Sequence, residues 1–345
     1  MEKRKTVLIF TGDSVTLAAA VKTRLKEKGV LTVIVNEHEL LGSIWSFVKE
    51  RVIRGKAKEK LDSFLDNYQE KRKEKEGSTI PKWLENYAKT DMKNVLTRYR
   101  PDLTVVLTPN VLRLLTEVKE DVCPDMPVFA VPEDFVLDYR FAQKGTRFIV
   151  DNVGVMTTLA NCSITPDNVS VCPLPPATIA GGATSFTEKT GKRILIDTAG
   201  RDDFLALADV LSLLKGQAEQ LIFYTEENRT LFRTLREKGF TAQNEGRTRE
   251  EMYLNADVAV MPPVSEIARF SFAMGVPTVL TLPKTSFETR NAEYLEKNNN
   301  AFYAKSVQTV ESILKDWLSG TPLPSPATWD HGESFFSRIE RELGV

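Results

Sequence analysis

Histidine is nearly missing from this chain: His38 and His331 are the only two in 345 residues. That scarcity narrows acid–base chemistry near neutral pH and removes histidine-rich metal sites. Cysteine is scarce too. Cys123, Cys162 and Cys172 form an odd set without CxxC spacing, which points away from a disulfide framework and from zinc, so no metal is expected. No apolar run approaches the roughly 20 residues of a membrane span, and the run at 6–10 is too short for a signal peptide. A net charge of −1 gives no global attraction to nucleic acid, and none is expected as a partner. These absences lead to the expectation of a cytoplasmic protein. What remains is 42% hydrophobic and 27% charged, the balance of a globular chain, and its length fits two domains better than one core.

The most ordered stretch runs over 244–304, where short helices and short apolar runs alternate. A helical turn or two at 250–255 precedes an apolar strand at 257–261 (DVAVM). A helix over 265–274 stops at Gly275, a second strand follows at 276–280, and another helix covers 287–297. Unbroken apolar runs of this length between helices suit a parallel sheet covered on both faces. Ligands of such sheets bind beyond the carboxyl ends of the strands, which here places the loops 262–265 and 283–286 at the site.

Upstream, a fresh strand at 193–197 (RILID) opens a second α/β domain over 192–320. The turn Thr198-Ala199-Gly200-Arg201 leads into a helix expected over 202–214. Backbone amides at a helix start attract anions, and Arg201 adds a bidentate contact to phosphate. Another strand is expected at 221–224.

The first half, 1–176, begins as a β-loop-α-β unit: a strand at 7–10, a helix over 15–28 ended by Gly29, and a strand at 31–35. Asp13 or Ser14 caps that helix, and Asp13 also stands in the loop where a base can meet a ligand. Segment 39–100 is a long basic insert. Between 44 and 75, Trp45, Phe47 and Val48 stand beside Lys49, Arg51, Arg54 and further cations. That pairing fits a surface resting on anionic lipid headgroups. The interspersed acids fit equally a solvated helical hairpin with Trp45, Phe47 and Phe64 turned inward. Strands are expected again at 103–107, 126–131 and 147–150. A Gly-, Thr- and Ser-rich linker at 177–191 supplies a hinge.

Several motifs together resemble a known family. They are Arg100-Pro101-Asp102 before an apolar strand, the turn Pro132-Glu133-Asp134-Phe135, Gly246-Arg247-Thr248, Asp257 followed by Gly275-Val276-Pro277, and the run 288–295 (ETRNAEYL). The set is similar to GT-B glycosyltransferases, nearest to glycosyltransferase family 28 in its diacylglycerol glucosyltransferase and monogalactosyldiacylglycerol synthase branch. The resemblance implies an α/β GT-B architecture: two Rossmann-like domains with mostly parallel sheets facing an interdomain cleft, and a tail at 321–345 returning to the first domain. It implies a nucleotide-sugar donor as substrate, with no separate cofactor. In this sequence the main chain around Arg247 would hold a uracil ring. Ser265 stands in the donor loop, and Glu266 is the nearest carboxylate for the ribose hydroxyls. Glu288 and Asn291 would meet the sugar, while Gly200 and Arg201 would meet the diphosphate. Counting back from Gly29, Asp13 and Ser14 stand where the family closes its first loop with Gly-His, and Asp138 stands where it carries a second His, so Asp13, or in second place Asp138, is a candidate base.

The function this implies is transfer of a sugar from a UDP-linked donor to a lipid or other amphiphilic acceptor, with docking at the inner membrane face through 44–75. The alternative is a chain that binds a nucleotide sugar or a protein partner without turnover. Its warrant is that the Gly-His loop, the second His, the Gly-Gly loop and the ribose Glu are all replaced, with Phe270 at the last position. Transfer of another group, such as glycerol phosphate, is a third option.

Overall fold

Strands that are apolar at every position, rather than at every second one, need cover on both faces. The computed structural model describes residues 4–12, 15–40, 82–176, 191–244, 246, 248–324 and 332–345. Asp13, Arg247, the basic segment 44–75 and residues 177–190 of the linker lie outside the described residues. The chain divides into two compact units, Met1–Leu174 with Gly332–Val345, and Pro175–His331.

Unit 1 runs β1 (Thr6–Thr11), α1 (Thr16–Glu27), β2 (Leu31–Asn36), α2 (Glu37–Leu40), α3 (Lys82–Tyr99), β3 (Leu103–Val106), α4 (Pro109–Val122), β4 (Val128–Ala130), β5 (Arg147–Val150), α5 (Val153–Asn161) and β6 (Val169–Val171). Its six strands are all parallel, in the order β2-β1-β3-β4-β5-β6. All six residues of β1 are buried because its alternate side chains enter two different layers. Val7 and Ile9 join Leu103, Val105 and Phe129 against Val21 and Leu25 of α1. Leu8 and Phe10 join Val106 and Phe148 against Met92 of α3, Leu115 of α4 and Leu159 of α5.

Unit 2 runs β7 (Arg193–Asp197), α6 (Leu205–Leu211), β8 (Gln220–Tyr224), α7 (Arg229–Glu237), β9 (Thr241–Gln243), α8 (Arg249–Leu254), β10 (Val258–Met261), α9 (Ser265–Ala273), β11 (Thr278–Thr281), α10 (Ser286–Lys297), β12 (Phe302–Ala304) and α11 (Val307–Leu318). The second sheet is likewise parallel, in the order β12-β11-β10-β7-β8-β9. Ile194, Ile196, Phe223, Val258 and Val260 pack with Leu207 and Leu211 of α6, Leu235 of α7 and Leu314 of α11. Leu195, Ala259 and Leu280, on the opposite pleat, are also buried.

The last helix, α12 (Glu333–Leu343), belongs to unit 1. It turns Phe335, Ile339 and Leu343, spaced four residues apart, into the layer that α1 covers. Arg24 of α1 reaches Glu333 at 3.2 Å and Glu340 at 2.8 Å on the same helix.

The expected helix over 202–214 is not continuous. A 3-10 turn at Asp202–Phe204 leads into α6, and another at Ser212–Leu214 follows it. Asp203 is gripped by Arg201 and Asp202 by Asn228, so side-chain bonds compete with regular helix at the first turn. No helix among the described residues is long and apolar enough to cross a membrane.

Candidate functional site

In each sheet the chain leaves one central strand toward one side and its neighbour toward the other. Such a switch point opens a crevice at the carboxyl edge. In unit 2 it falls between β7 and β10, and in unit 1 between β1 and β3.

The backbone of unit 2 is unusual at that edge. Arg100, Ser163 and Asn299 have positive φ because they follow helices, where a left-handed residue closes the last turn. Ala199 (φ 50), Glu226 (φ 48) and Leu282 (φ 52) have no such excuse. They follow β7, β8 and β11, so strain of roughly 1–2 kcal/mol at each is concentrated on one rim. Gly200 also has φ 68, and a Cβ there would stand 3.4 Å from Glu226 Oε2.

Asp197, the last residue of β7, is the hub. It is fully buried and accepts from Arg249 Nε at 2.8 Å, Tyr253 Oη at 3.0 Å and the Ala199 amide at 3.0 Å. Arg249 opens α8, where a cation opposes the helix dipole. Its other partner, Glu226, helps offset that, as does the capping box between Thr248 and Glu251. Burial, the largest single influence, lowers the Arg249 pKa, but Asp197, Tyr253 and Tyr224 together more than offset it and the guanidinium is held more firmly charged. Burial drives the Tyr253 phenol well above its ordinary value, with Asp197 adding to the push.

Beside this hub, Arg201 is a cross-link. It donates Nε and Nη2 to Asp203 at 3.2 and 2.8 Å, Nη1 to Glu288 Oε2 at 3.0 Å, and Nη2 to the Leu282 carbonyl. Glu288 Oε2 also accepts the Lys284 amide at 2.8 Å, while Oε1 accepts nothing from the described residues. The amides of the turn are used internally: Gly200 donates to Thr198 Oγ1 and Arg201 to the Thr198 carbonyl. Asn228 donates to the Gly200 carbonyl at 2.8 Å and to Asp202 at 2.8 Å.

The start of α9 lies across the switch point. Ser265 is buried and accepts from Asn291 Nδ2 at 2.9 Å, which ties α9 to α10. Glu266 is half-buried in the first turn. Phe270 is 3% exposed and packs edge-on against Tyr253, with ring centroids 5.4 Å apart. The structure thus brings Gly200, Arg201 and Glu288 together, with Ser265 and Asn291 as a second pair. Among the described residues no group of three His, Cys, Asp or Glu is placed to hold a metal ion.

The carboxyl edge of unit 1 carries its own polar chain. Asp138 caps a 3-10 turn and receives Arg140 from its amide at 2.9 Å and from Nε at 3.1 and 2.9 Å on its two oxygens. Arg140 Nη1 donates to Asn110 Oδ1 at 3.1 Å, and Asn110 Nδ2 donates to Glu37 Oε2 at 3.3 Å. Thr108 Oγ1 donates to the same oxygen of Glu37. Glu37, like Asp197, Arg249 and Tyr253, was not singled out from sequence. The available signal was an acid closing an apolar strand, at the end of RILID and just past LTVIVN.

Two units of this kind define the two-domain GT-B Rossmann-like fold. MurG of Acinetobacter baumannii is similar at 12% identity and a TM-score of 0.63, over 98% of this chain and 99% of its own. The spinosyn rhamnosyltransferase SpnG, complexed with thymidine diphosphate, matches at 11% identity and 0.57, over 99% and 96%. The UDP-GlcNAc 2-epimerase of Neisseria meningitidis, bound to UDP-GlcNAc, matches at 12% and 0.58, over 99% and 100%. No protein-family model and no curated protein sequence matches the chain. Identities this low establish the fold, and the chemistry has to be argued from the site.

Proposed function

We propose that this chain is a glycosyltransferase moving a sugar from a nucleotide donor, a UDP-sugar by preference, to a hydroxyl of a lipid or other amphiphilic acceptor. The observation that carries this reading is the Arg201–Glu288 pair at the carboxyl edge of unit 2, standing on a fold shared end to end with glycosyltransferases. In this reading the donor sits at the carboxyl edge of unit 2. Glu288, steadied through Oε2 by Arg201 and the Lys284 amide, turns Oε1 to the sugar hydroxyls. Arg201 keeps one N–H for phosphate after its bonds to Asp203, Glu288 and Leu282. Gly200 lets the turn approach the diphosphate, Glu266 meets the ribose from the first turn of α9, and Ser265 and Asn291 hold that turn in place. Arg247, outside the described residues, is assigned to the base by the family resemblance alone.

An apolar rim supports an amphiphilic acceptor. Val15, Tyr139 and Val153 are 50%, 45% and 58% exposed, and they follow β1, β4 and β5 at the carboxyl edge of unit 1. The resemblance to the lipid branch of family 28, and docking of 44–75 on anionic membrane, belong to the same reading.

A second reading, a protein that binds a nucleotide sugar without turnover, is favoured by Phe270: a core aromatic stands where the family carries its ribose carboxylate. Thermal-shift titration with UDP, UDP-glucose, UDP-N-acetylglucosamine and CDP-glycerol separates the readings when paired with UDP release on dioleoylglycerol micelles. Stabilisation with UDP release supports transfer. Stabilisation without release supports binding alone, and CDP-glycerol alone stabilising would redirect the reading to glycerol phosphate. No stabilisation by any of them would sink all three.

A further inference from the structure

A carboxylate taken out of water is stabilised by a cation or it is held for a purpose. Asp138, Asp197, Asp257 and Glu340 each face an arginine (Arg140, Arg249, Arg193 and Arg24), and the equally buried Asp151 is used within the fold, accepting the Leu174 amide at 2.9 Å where β6 ends. Glu37 differs. It is 7% exposed, and among the described residues no cation touches it. Two neutral donors, Thr108 Oγ1 and Asn110 Nδ2, meet at its Oε2, while Oε1 accepts no hydrogen bond from the described residues. The free oxygen faces the chain just past β1, since a Cβ built on Gly12 would lie 3.7 Å from Oε1. Asn36 Nδ2 donates to the Gly12 carbonyl at 2.8 Å and fixes that chain against the end of β2. Glu37 therefore stands where the carboxyl ends of β1, β2 and β3 meet, at the switch point of unit 1, with one oxygen anchored and one left for a ligand.

Two other bases are expected from sequence, Asp13 and Asp138. Asp13 lies outside the described residues. Asp138 has both oxygens in the fork of Arg140, and it reaches the crevice only through Arg140 and Asn110.

We propose that Glu37 is the base that accepts the proton of the acceptor hydroxyl, with Asp138, Arg140 and Asn110 as the positioning residues behind it. This rests on the transferase reading above. As the acceptor oxygen bonds to the anomeric carbon, its proton passes to Glu37 Oε1. The bond from that carbon to the phosphate oxygen breaks, and its electron pair leaves with the nucleoside diphosphate. The Glu37 carboxylic acid then returns the proton to water, so no oxidant, reductant or further reactant is needed. A base held within reach of the reacting hydroxyl is worth about 10²- to 10⁴-fold in rate.

The test uses the full chain, UDP-glucose or whichever UDP-sugar the wild type binds, and dioleoylglycerol micelles. Glu37→Gln keeps an acceptor for Thr108 and removes the base. It is expected to bind the donor within about twofold of wild type while UDP release falls at least about 100-fold. Glu37→Ala opens a gap at the same place, and added formate is expected to restore part of its rate, a response that lost packing alone would not give. If Glu37→Gln binds donor and turns over within about threefold of wild type, the base assignment is overturned and the transferase reading stands. A wild type that binds donor and gives variants that do not fold, or an alanine variant deaf to formate, makes Glu37 structural and also overturns it. A wild type that binds no UDP-sugar sinks the transferase reading and the base with it.

Discussion

Tyr253 shows how one side chain can be at once core and site. Its ring is fully buried against Phe270, and its hydroxyl donates to Asp197 at 3.0 Å. Burial, then the Asp197 charge, raise the phenol well above 10 in the fold. A raised folded pKa favours the protonated, folded form, so this contribution is complete below the unfolded phenol pKa and fades as pH climbs above it. Tyr253→Phe is therefore expected to lose about 1 kcal/mol in urea unfolding at pH 7 and to show a shallower loss of stability above pH ~10 than wild type. Parallel alkaline limbs in the two proteins would show that the phenol is not linked to folding. Glu288 calls for a different comparison, because in the proposed donor site its Oε2 is held by Arg201 and the Lys284 amide while Oε1 is assigned to the sugar. Glu288→Gln keeps an acceptor toward Arg201 and the Lys284 amide but offers the sugar a weaker, uncharged partner. Calorimetric titration is expected to show UDP-glucose bound about tenfold more weakly, a difference of ~1.4 kcal/mol, with UDP itself nearly unchanged. Equal weakening of both would move Glu288 from the sugar to the phosphate.

At the scale of elements, α12 is separated from the rest of unit 1 by all of unit 2, yet it fills unit 1 with Phe335, Ile339 and Leu343. Phe335 is fully buried, so Phe335→Ala is expected to destabilise unit 1 by about 3–5 kcal/mol, read as an earlier loss of α1 and β1 amide protection in hydrogen exchange. Protection unchanged there would mean that α12 only decorates the sheet. Such elements differ in how far their sequence discloses them. The runs RFIV at 147–150 and RILID at 193–197 match β5 and β7 to the residue, because a buried parallel strand needs an unbroken apolar stretch and polar residues fall at its ends. β9, with the sequence TAQ, carries no such run, since it closes the edge of its sheet and is held by its neighbour β8. The break in the expected helix 202–214 was hidden for another reason. Arg201 and Asn228 grip its first turn from outside, and the second lies 26 residues from its partner Asp202. The site follows the same division. Gly200 and Ser265 are placed by local motifs, whereas the bonds of Arg249 to Asp197 and of Arg201 to Glu288 span 52 and 87 residues. No periodicity encodes a contact of that reach. The partial charges and strained φ angles that mark this rim exist only once the strands have paired.

For the whole molecule the charge balance decides what kind of surface attraction is open to it. With 46 basic and 47 acidic residues the chain has almost no net pull on an anionic membrane, so any such pull has to be local. Residues 44–75 hold ten basic against six acidic side chains, with Trp45, Phe47 and Phe64 among them. Each cation near an anionic surface contributes on the order of 1 kcal/mol, and the acids offset much of it. An excess of this size predicts weak, salt-sensitive docking rather than anchoring, helped by whichever aromatic rings enter the headgroup layer. Co-sedimentation with vesicles tests it directly. At about 0.05 M salt the protein is expected to pellet more with phosphatidylserine-containing vesicles than with phosphatidylcholine alone, and the difference is expected to vanish near 0.5 M, where the Debye length falls to a few ångströms. Replacing Lys49, Arg51, Arg54 and Lys56 by glutamine is expected to abolish the difference while leaving UDP-sugar binding by unit 2 intact. Equal pelleting with both vesicles at low salt would rule out electrostatic docking, and an amphiphilic acceptor would then have to reach the Val15, Tyr139 and Val153 rim without help from a charged surface.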